Sequence, residues 1–95
     1  MIVLTVTYLI AEGREREARE HFFATRDASR KEPGSLAYLV HQSIEEPRKF
    51  FLYEQYVDGA AQDEHRASNY FEEHIRNGIM KIMESRTAVT YRLLE

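Results

Sequence analysis

The run from Phe50 to Val57 constrains the fold of this chain more than any other stretch. It alternates with a period of two, as a β-strand does, yet both of its faces are mainly apolar. One face carries Phe50, Leu52, Glu54 and Tyr56, and the other carries Phe51, Tyr53, Gln55 and Val57. A sheet with water on one side normally has one polar face, so we expect both sides of this strand to be covered. Helices of the same chain should cover one side, and a second copy of the chain is expected on the other.

Glu54 is an acidic residue inside this apolar strand. Burial of a carboxylate costs free energy unless the group has a partner or a chemical task. Asp58 and Gly59 end the strand and begin a short helix that carries His65. We expect His65 to project over the same pocket as Glu54 and to act as a proton acceptor, although a surface or capping role is the alternative for a lone helical histidine.

The first half of the chain predicts a strand, a helix and a second strand. Residues 2–10 alternate and are rich in β-branched side chains, and residues 14–30 have the apolar spacing of a helix that ends before Pro33. Residues 36–43 form the second strand. The polar segment 44–49 then has the length of a hairpin connection, so this strand should pair antiparallel with residues 50–57.

The second half predicts two helices and a last strand. The short helix covers residues 59–66, and Ser68 caps a second helix with apolar residues at spacings of three and four. Residues 87–94 alternate again as the fourth strand. The order β-α-β-β-α-β predicts an α+β, ferredoxin-like fold with an antiparallel sheet and right-handed crossovers.

Length and composition limit the class of protein. Ninety-five residues support a single domain, residues 1–95, and 43% hydrophobic with 31% charged residues is typical of a globular chain. A net charge of -3 argues against nucleic-acid binding, which needs clustered Lys and Arg. The chain has no cysteine, and its apolar N-terminus lacks the basic region of a secretory signal, so a cytoplasmic protein that is not embedded in a membrane is expected.

His41 offers a second candidate for proton transfer. A hairpin centred near Glu46 and Pro47 is predicted to place His41 on the same face as Glu54. A histidine beside a carboxylate has a fixed tautomer and a raised pKa, which suits proton transfer near neutral pH. A purely structural polar pair within the sheet is the equally weighted alternative.

Other classes of site lack their sequence signatures. The four histidines show no H-E-x-x-H spacing, and there is no G-x-G-x-x-G, P-loop or G-x-S-x-G motif. Aromatic strands on this architecture are also typical of RNA-binding domains, but the glycine pattern of that module is missing. We therefore expect no metal site, and flavin is disfavoured by the size of the chain but not by these motifs. The aromatic residues predict a pocket for a flat cyclic ligand.

The chain resembles the antibiotic biosynthesis monooxygenase superfamily over nearly its whole length. The strongest part of the resemblance is Y-E-x-Y-x-D at residues 53–58 followed by A-x-x-x-H-x-x-S at residues 61–68. Weaker parts are Pro33-Gly34-Ser35-Leu36, His41-Gln42, Pro47-Arg48-Lys49-Phe50 and Tyr70-Phe71. Within the superfamily, the sequence is most similar to small bacterial quinol monooxygenases and to the related isomerase of autoinducer-2 degradation.

The resemblance implies a homodimer in which two sheets form an α/β barrel. It implies oxidation of a small phenolic or hydroquinone substrate by O2 without metal or flavin, with His65 or the His41–Glu54 pair as the base. The substrate-binding residues it implies are Phe50, Leu52, Tyr56, Tyr70 and Phe71. The alternatives are an isomerase of a small oxo-compound and a dimeric ligand-binding module without enzyme activity.

Two departures from the superfamily narrow this expectation. In polyketide-tailoring members the corresponding strand has Asn and Trp on its pocket face, whereas this chain has Leu52 and Tyr56 at those positions. Large tricyclic quinols are therefore not the expected substrates. The chain also has no Trp and no Asn on its first strand, so it departs from the haem-degrading branch.

Overall fold

A computed structural model describes all residues, 1–95, as four strands and three helices. The strands are β1 (Ile2–Ile10), β2 (Ser35–Gln42), β3 (Lys49–Tyr56) and β4 (Met83–Arg92). The first two helices are α1 (Glu15–Ser29) and α2 (Gly59–Arg66). The third helix, α3, covers residues 69–82 and has three parts, Asn69–Phe71, Glu72–Ile79 and Met80–Ile82.

The strands form one antiparallel sheet in the order β2-β3-β1-β4. The predicted hairpin pairs β2 with β3, and β1 lies between β3 and β4. Both crossovers, through α1 and through α2 with α3, skip one strand, as the split βαβ arrangement requires. The α+β, ferredoxin-like fold predicted from the order of elements is confirmed.

Local sequence signals fix the ends of α2 and α3. The Asp58 side chain accepts a hydrogen bond from the Ala61 backbone N–H at 2.9 Å, and Ser68 accepts one from Phe71 at 3.2 Å. Each bond satisfies a backbone donor in the first turn of its helix. Both predicted caps are therefore confirmed.

The middle of α3 differs from the regular α-helix that the spacing predicted. Residues Glu72–Ile79 are π-helical, with backbone bonds that span five residues. Turns of this kind are wider, so residues four apart, such as Ile75 and Ile79, stay on one side of the helix, and both are buried. β4 also begins at Met83 rather than Thr87, because Met83 leaves the helix directly into a pairing with Ile10.

The core lies between one face of the sheet and the helices. Phe22 of α1 is fully buried, and its ring centre lies 5.4 Å from that of Tyr8 and 5.2 Å from that of Phe50. Burial of such aromatic rings contributes much of the stability of a small domain. The buried cluster consists of Val6, Tyr8, Ile10, Ala18, Phe22, Tyr38, Phe50, Leu52, Ile75, Ile79 and Ile82.

No helix covers the second face of the sheet. Leu39, Val89 and Tyr91 on this face are 44%, 41% and 52% exposed. The register aligns Leu39, Tyr53, Thr5 and Val89 in one row across all four strands. This outer face is thus apolar and open, which is the pattern that led to the expectation of a second copy. None of the helices combines the length and apolar character that a bilayer crossing requires.

Candidate active site

A cavity of about 160 Å³ lies between the inner face of the sheet and helices α2 and α3. Its wall is formed by Leu4, Val6, Tyr8, Tyr38, Glu54, Gln62, His65, Arg66, Phe71, Ile75, Arg86, Ala88 and Thr90. The contributions of β4 to this wall are exposed, so the cavity opens towards that edge strand. Its size suits a small organic molecule rather than a polymer.

Glu54 forms part of the cavity wall and is only 3% exposed. Its Oε1 accepts a hydrogen bond of 2.5 Å from the buried Tyr56 hydroxyl. Burial raises the pKa of Glu54 to about 7, while the Tyr56 bond and the Arg86 guanidinium lower it less. Both the acid and the carboxylate are therefore populated near neutral pH, as a general base requires.

His65 lies on the last turn of α2 and is 2% exposed. Burial lowers its pKa to about 4, with a smaller effect from the Arg66 charge, so the imidazole is neutral at neutral pH. Its Nε2 lies 3.6 Å from Glu54 Oε1. Because the ring is neutral and the separation exceeds hydrogen-bond distance, this approach is a close polar contact and neither an ion pair nor a hydrogen bond. The prediction that His65 and Glu54 face one pocket is confirmed in its geometry.

The other side of the imidazole leads to a second carboxylate. His65 Nδ1 lies 2.8 Å from the Tyr70 hydroxyl oxygen, and that hydroxyl donates a hydrogen bond to Glu32 Oε1. Burial raises the pKa of Glu32, with a further contribution from the Glu64 charge. Glu32, Tyr70, His65, Glu54 and Tyr56 thus form one continuous line of polar groups.

The predicted pairing of His41 with Glu54 is wrong. The register of the hairpin places His41 opposite Phe51 and Tyr38 opposite Glu54, so His41 points to the outer face of the sheet. His41 is exposed, and its Nδ1 lies 3.0 Å from the Phe51 carbonyl oxygen. A shift of one residue between prediction and structure moved the side chain to the opposite face.

Of the five predicted substrate-binding residues, only Phe71 lies on the cavity wall. Phe50 and Leu52 are 1% exposed and belong to the core, where the helices pack over β3. Tyr56 and Tyr70 do not line the cavity. The Tyr56 hydroxyl donates a hydrogen bond to Glu54, and the Tyr70 hydroxyl donates one to Glu32 and contacts His65 Nδ1. The other four predicted residues therefore do not line this cavity.

Sequence reasoning missed two tyrosines and two arginines on the wall, Tyr8, Tyr38, Arg66 and Arg86. The Tyr8 hydroxyl oxygen accepts a hydrogen bond of 3.3 Å from Arg86 Nε, which leaves its own proton free to donate. Burial raises the pKa of Tyr8 and of Tyr38, so both phenols stay protonated at neutral pH. Arg86 was missed because the fourth strand was predicted to begin after it.

No three side chains of His, Cys, Asp or Glu are arranged to hold a metal ion. The groups that line the cavity are instead suited to proton transfer and to hydrogen bonding with substrate oxygens. Glu54 can accept a proton, Tyr8 and Tyr38 can donate hydrogen bonds, and Arg86 can compensate a negative charge.

Comparison with known proteins agrees with this architecture. Residues 1–77 match the family model for antibiotic biosynthesis monooxygenases. The chain belongs to this family. An isomerase of (4S)-4-hydroxy-5-phosphonooxypentane-2,3-dione from Yersinia enterocolitica is 34% identical over 71 residues, which cover 75% of this chain and 74% of that protein.

Solved structures show the same fold. A Shewanella oneidensis protein is 29% identical with a TM-score of 0.88, and the match covers 95% of this chain and 87% of that one. A Pseudomonas aeruginosa protein is 26% identical with a TM-score of 0.89, and covers 98% and 94% of the two chains. A Nitrosomonas europaea protein of the antibiotic biosynthesis monooxygenase type is 25% identical over both full chains, with a TM-score of 0.92.

Proposed function

We propose that this protein is an enzyme that isomerises a small α-hydroxyketone by base-catalysed proton transfer. The observation that carries the proposal is Glu54, a carboxylate on the cavity wall whose pKa is raised to about 7. The neutral His65 beside it supplies no fixed positive charge that would hold Glu54 ionised. Such a carboxylate can both take a proton from a substrate and return it.

The proposed reaction needs no oxidant. Glu54 removes the proton from the carbon that bears the hydroxyl, and the electron pair forms a C=C bond of an enediolate with the neighbouring carbonyl carbon. Glu54 then returns the proton to that neighbouring carbon, while the hydroxyl proton moves to the other oxygen. The hydroxyls of Tyr8 and Tyr38 are suited to bind the two oxygens, and the Arg86 charge stabilises the enediolate.

The similarity to the Yersinia isomerase supports this substrate class. The substrate in the name of that enzyme is a five-carbon hydroxydione with a phosphate group. The enzyme is identical to this chain at 34% of the aligned residues. Two arginines, Arg66 and Arg86, lie on the cavity wall. Guanidinium groups are well suited to bind a phosphate, so we propose a phosphorylated or otherwise anionic hydroxyketone.

Oxidation of a small hydroquinone by O2 is the second candidate. The aromatic side chains of Tyr8, Tyr38 and Phe71 on the wall favour a flat cyclic ligand, and the family description favours oxygenase chemistry. The first step would again be removal of a proton, here from a phenolic hydroxyl. A ligand-binding module without activity would show neither reaction.

Two assays separate these functions. Small α-hydroxyketones, with and without phosphate, are incubated anaerobically in D2O, and deuterium incorporation at the carbinol carbon is followed by NMR. A hydroquinone panel is followed in parallel by oxygen uptake and quinone absorbance. Isomerisation predicts exchange above the uncatalysed rate, and its absence in every hydroxyketone tested would overturn the isomerase proposal.

Glu54→Gln and His41→Ala form a matched pair of variants for these assays. Replacing the base should lower turnover by about 10²-fold or more, since positioned proton transfer contributes about 10²–10⁴-fold. His41 lies on the outer face and should be dispensable. Equal rates for Glu54→Gln and the unaltered protein would contradict the assignment of the base.

We also propose that the outer face of the sheet binds a second copy of the chain. The row of Leu39, Tyr53, Thr5 and Val89 extends across all four strands, and no helix of the same chain covers it. Exposed apolar faces of this kind mark association surfaces. Two such sheets facing each other would form the dimeric barrel.

A further inference from the structure

The proposed reaction leaves Tyr70 and Glu32 without a task, although both are tied to His65. We propose that they are positioning residues that keep the hydrogen of the neutral His65 ring on Nδ1, so that the unprotonated Nε2 faces Glu54. The tautomer stands on hydrogen-bond geometry alone. Its effect on turnover rests on the proposed function.

The donors and acceptors determine where the ring hydrogen lies. Tyr70 has one hydroxyl proton, and it donates this proton to the carboxylate of Glu32, which can only accept. The Tyr70 oxygen is then free to accept, and His65 Nδ1 lies 2.8 Å away. A neutral imidazole has one N–H, so this hydrogen bond places it on Nδ1. Glu32 Oε1, 3.7 Å from Nδ1, adds a negative charge on the same side.

Two separate segments hold Tyr70 and Glu32 in place. Tyr70 lies in the first turn of α3, where Ser68 fixes the start by donating to the His65 carbonyl at 2.7 Å and accepting from Phe71. Glu32 lies in the turn after α1, where its N–H donates to Ser29 and its carbonyl accepts from Ser35, both at 3.0 Å. The backbone of each partner is therefore fixed independently of the ligand cavity.

The tautomer affects the protonation of Glu54. An unprotonated Nε2, 3.6 Å from Glu54 Oε1, presents a lone pair that favours the acid form and cannot stabilise the carboxylate. The opposite tautomer would direct the positive end of its Nε2–H towards the carboxylate, which would stabilise the charged form and make Glu54 a weaker base. Tyr70 and Glu32 thus help to set the pH at which Glu54 can accept a proton.

Other titratable and charged groups also face this pair from every surrounding element. Those near Glu54 and His65 are Tyr8 of β1, Tyr38 of β2, Tyr56 of β3, Arg86 of β4 and Arg66 of α2, and Glu64 of α2 acts on Glu32. None of them donates or accepts a hydrogen bond at His65 Nδ1. The Tyr70–Glu32 pair is therefore the group that distinguishes the two ring nitrogens.

The test measures the tautomer directly by ¹⁵N NMR of the imidazole nitrogens in the full chain, without substrate. We expect Nδ1 to carry the hydrogen in the unaltered protein. In Tyr70→Phe, which keeps the ring and removes the hydroxyl, the hydrogen should move to Nε2 in a substantial fraction of molecules. The titration midpoint of the Glu54 carboxyl, followed by ¹³C NMR, should then fall by up to about one pH unit, since an N–H directed at the carboxylate stabilises its charged form.

Glu12→Gln is the control, because Glu12 is exposed in the turn before α1 and belongs neither to the cavity nor to the outer face of the sheet. Glu32→Gln is the second variant; it keeps the side-chain volume, removes the charge and should move the midpoint in the same direction by less. An Nε2–H tautomer in the unaltered protein, or an unchanged Glu54 midpoint in both Tyr70→Phe and Glu32→Gln, would overturn the inference. If the NMR results hold but no substrate is turned over, only the proposed function fails.

Discussion

Glu54→Gln should stabilise the protein relative to the unaltered chain, and this gain in unfolding free energy should be larger at high pH than at low pH. The pKa of this carboxyl rises from 4.5 to about 7 on folding, chiefly because of burial. Each pKa unit corresponds to about 1.4 kcal/mol, so the buried carboxylate lowers the free energy of unfolding by about 3 kcal/mol once it is ionised. Gln has the same shape and can still accept the Tyr56 hydrogen bond, but it has no charge to bury.

The sign follows from proton binding. Between pH 4.5 and about 7 the folded state keeps the Glu54 proton that the unfolded chain has lost, so stability falls as pH rises through this window. His65 acts in the opposite sense. Its pKa falls from 6.5 to about 4 on folding, so its contribution is present above pH 6.5 and is lost as pH falls towards 4. In the unaltered protein the contributions of Glu54 and His65 to the free energy of unfolding change with pH in opposite directions. In Glu54→Gln only the His65 contribution remains, so the free energy of unfolding should rise with pH.

Urea unfolding at a series of pH values between about 4 and 8 measures this effect. The difference in unfolding free energy, Glu54→Gln minus the unaltered protein, should increase by about 3 kcal/mol across the series. Glu12→Gln is the control, because Glu12 is exposed in the turn before α1, and its difference should stay constant. A constant difference for Glu54→Gln as well would refute the conclusion that Glu54 is buried as a weak acid.

Three further changes test other parts of the structure. Arg86→Gln should raise the KM for an anionic substrate by about ten-fold or more, as expected for the loss of one charged hydrogen bond, and an unchanged KM would remove Arg86 from substrate binding. Val89→Glu should convert a dimer to monomers in analytical ultracentrifugation, whereas a monomeric unaltered protein would contradict the proposed interface. Gly34→Ala should lower the unfolding free energy by about 1–3 kcal/mol, because its Cβ would lie 2.5 Å from the Ala61 Cβ. Gly59→Ala, which meets no atom within 4 Å, should change it by less than about 0.5 kcal/mol in urea unfolding; equal effects of the two would refute the packing argument.

The fold could be predicted from the sequence because each strand and helix has its own local sequence signal. The alternation of residues 2–10 and 50–57, the break at Pro33 and the caps at Asp58 and Ser68 each act within a few residues. Their order then leaves few topologies, since crossovers between parallel strands are right-handed. The π-helical part of α3 was not accessible, because an apolar spacing of four fits both kinds of helix.

The position of His41 shows where local signals become insufficient. The length of the hairpin was predicted, but its register was not, and the register alone decides which face a side chain occupies. In the structure His41 pairs with Phe51 on the outer face, whereas a pairing with Leu52, one position later, would have placed His41 on the inner face with Glu54. By contrast, the placement of His65 depended on a cap and on helical spacing, which are local and were read correctly.

The cavity exists because the inner-face side chains of β4 fill less space than those of the neighbouring strand β1, a difference that is only weakly visible in the sequence. On the inner face, β1 carries Leu4, Val6 and Tyr8, and the register places Thr90, Ala88 and Arg86 of β4 beside them. Two of these β4 residues are small, and the third is long and polar, so this part of the inner face is not filled by apolar side chains. A buried strand would carry large apolar residues there. Small residues at the inward positions of a segment that is otherwise rich in β-formers therefore indicate the open side of the site. Arg86 and Tyr8 lie on this side, so we expect them to be the groups that contact a ligand entering over β4.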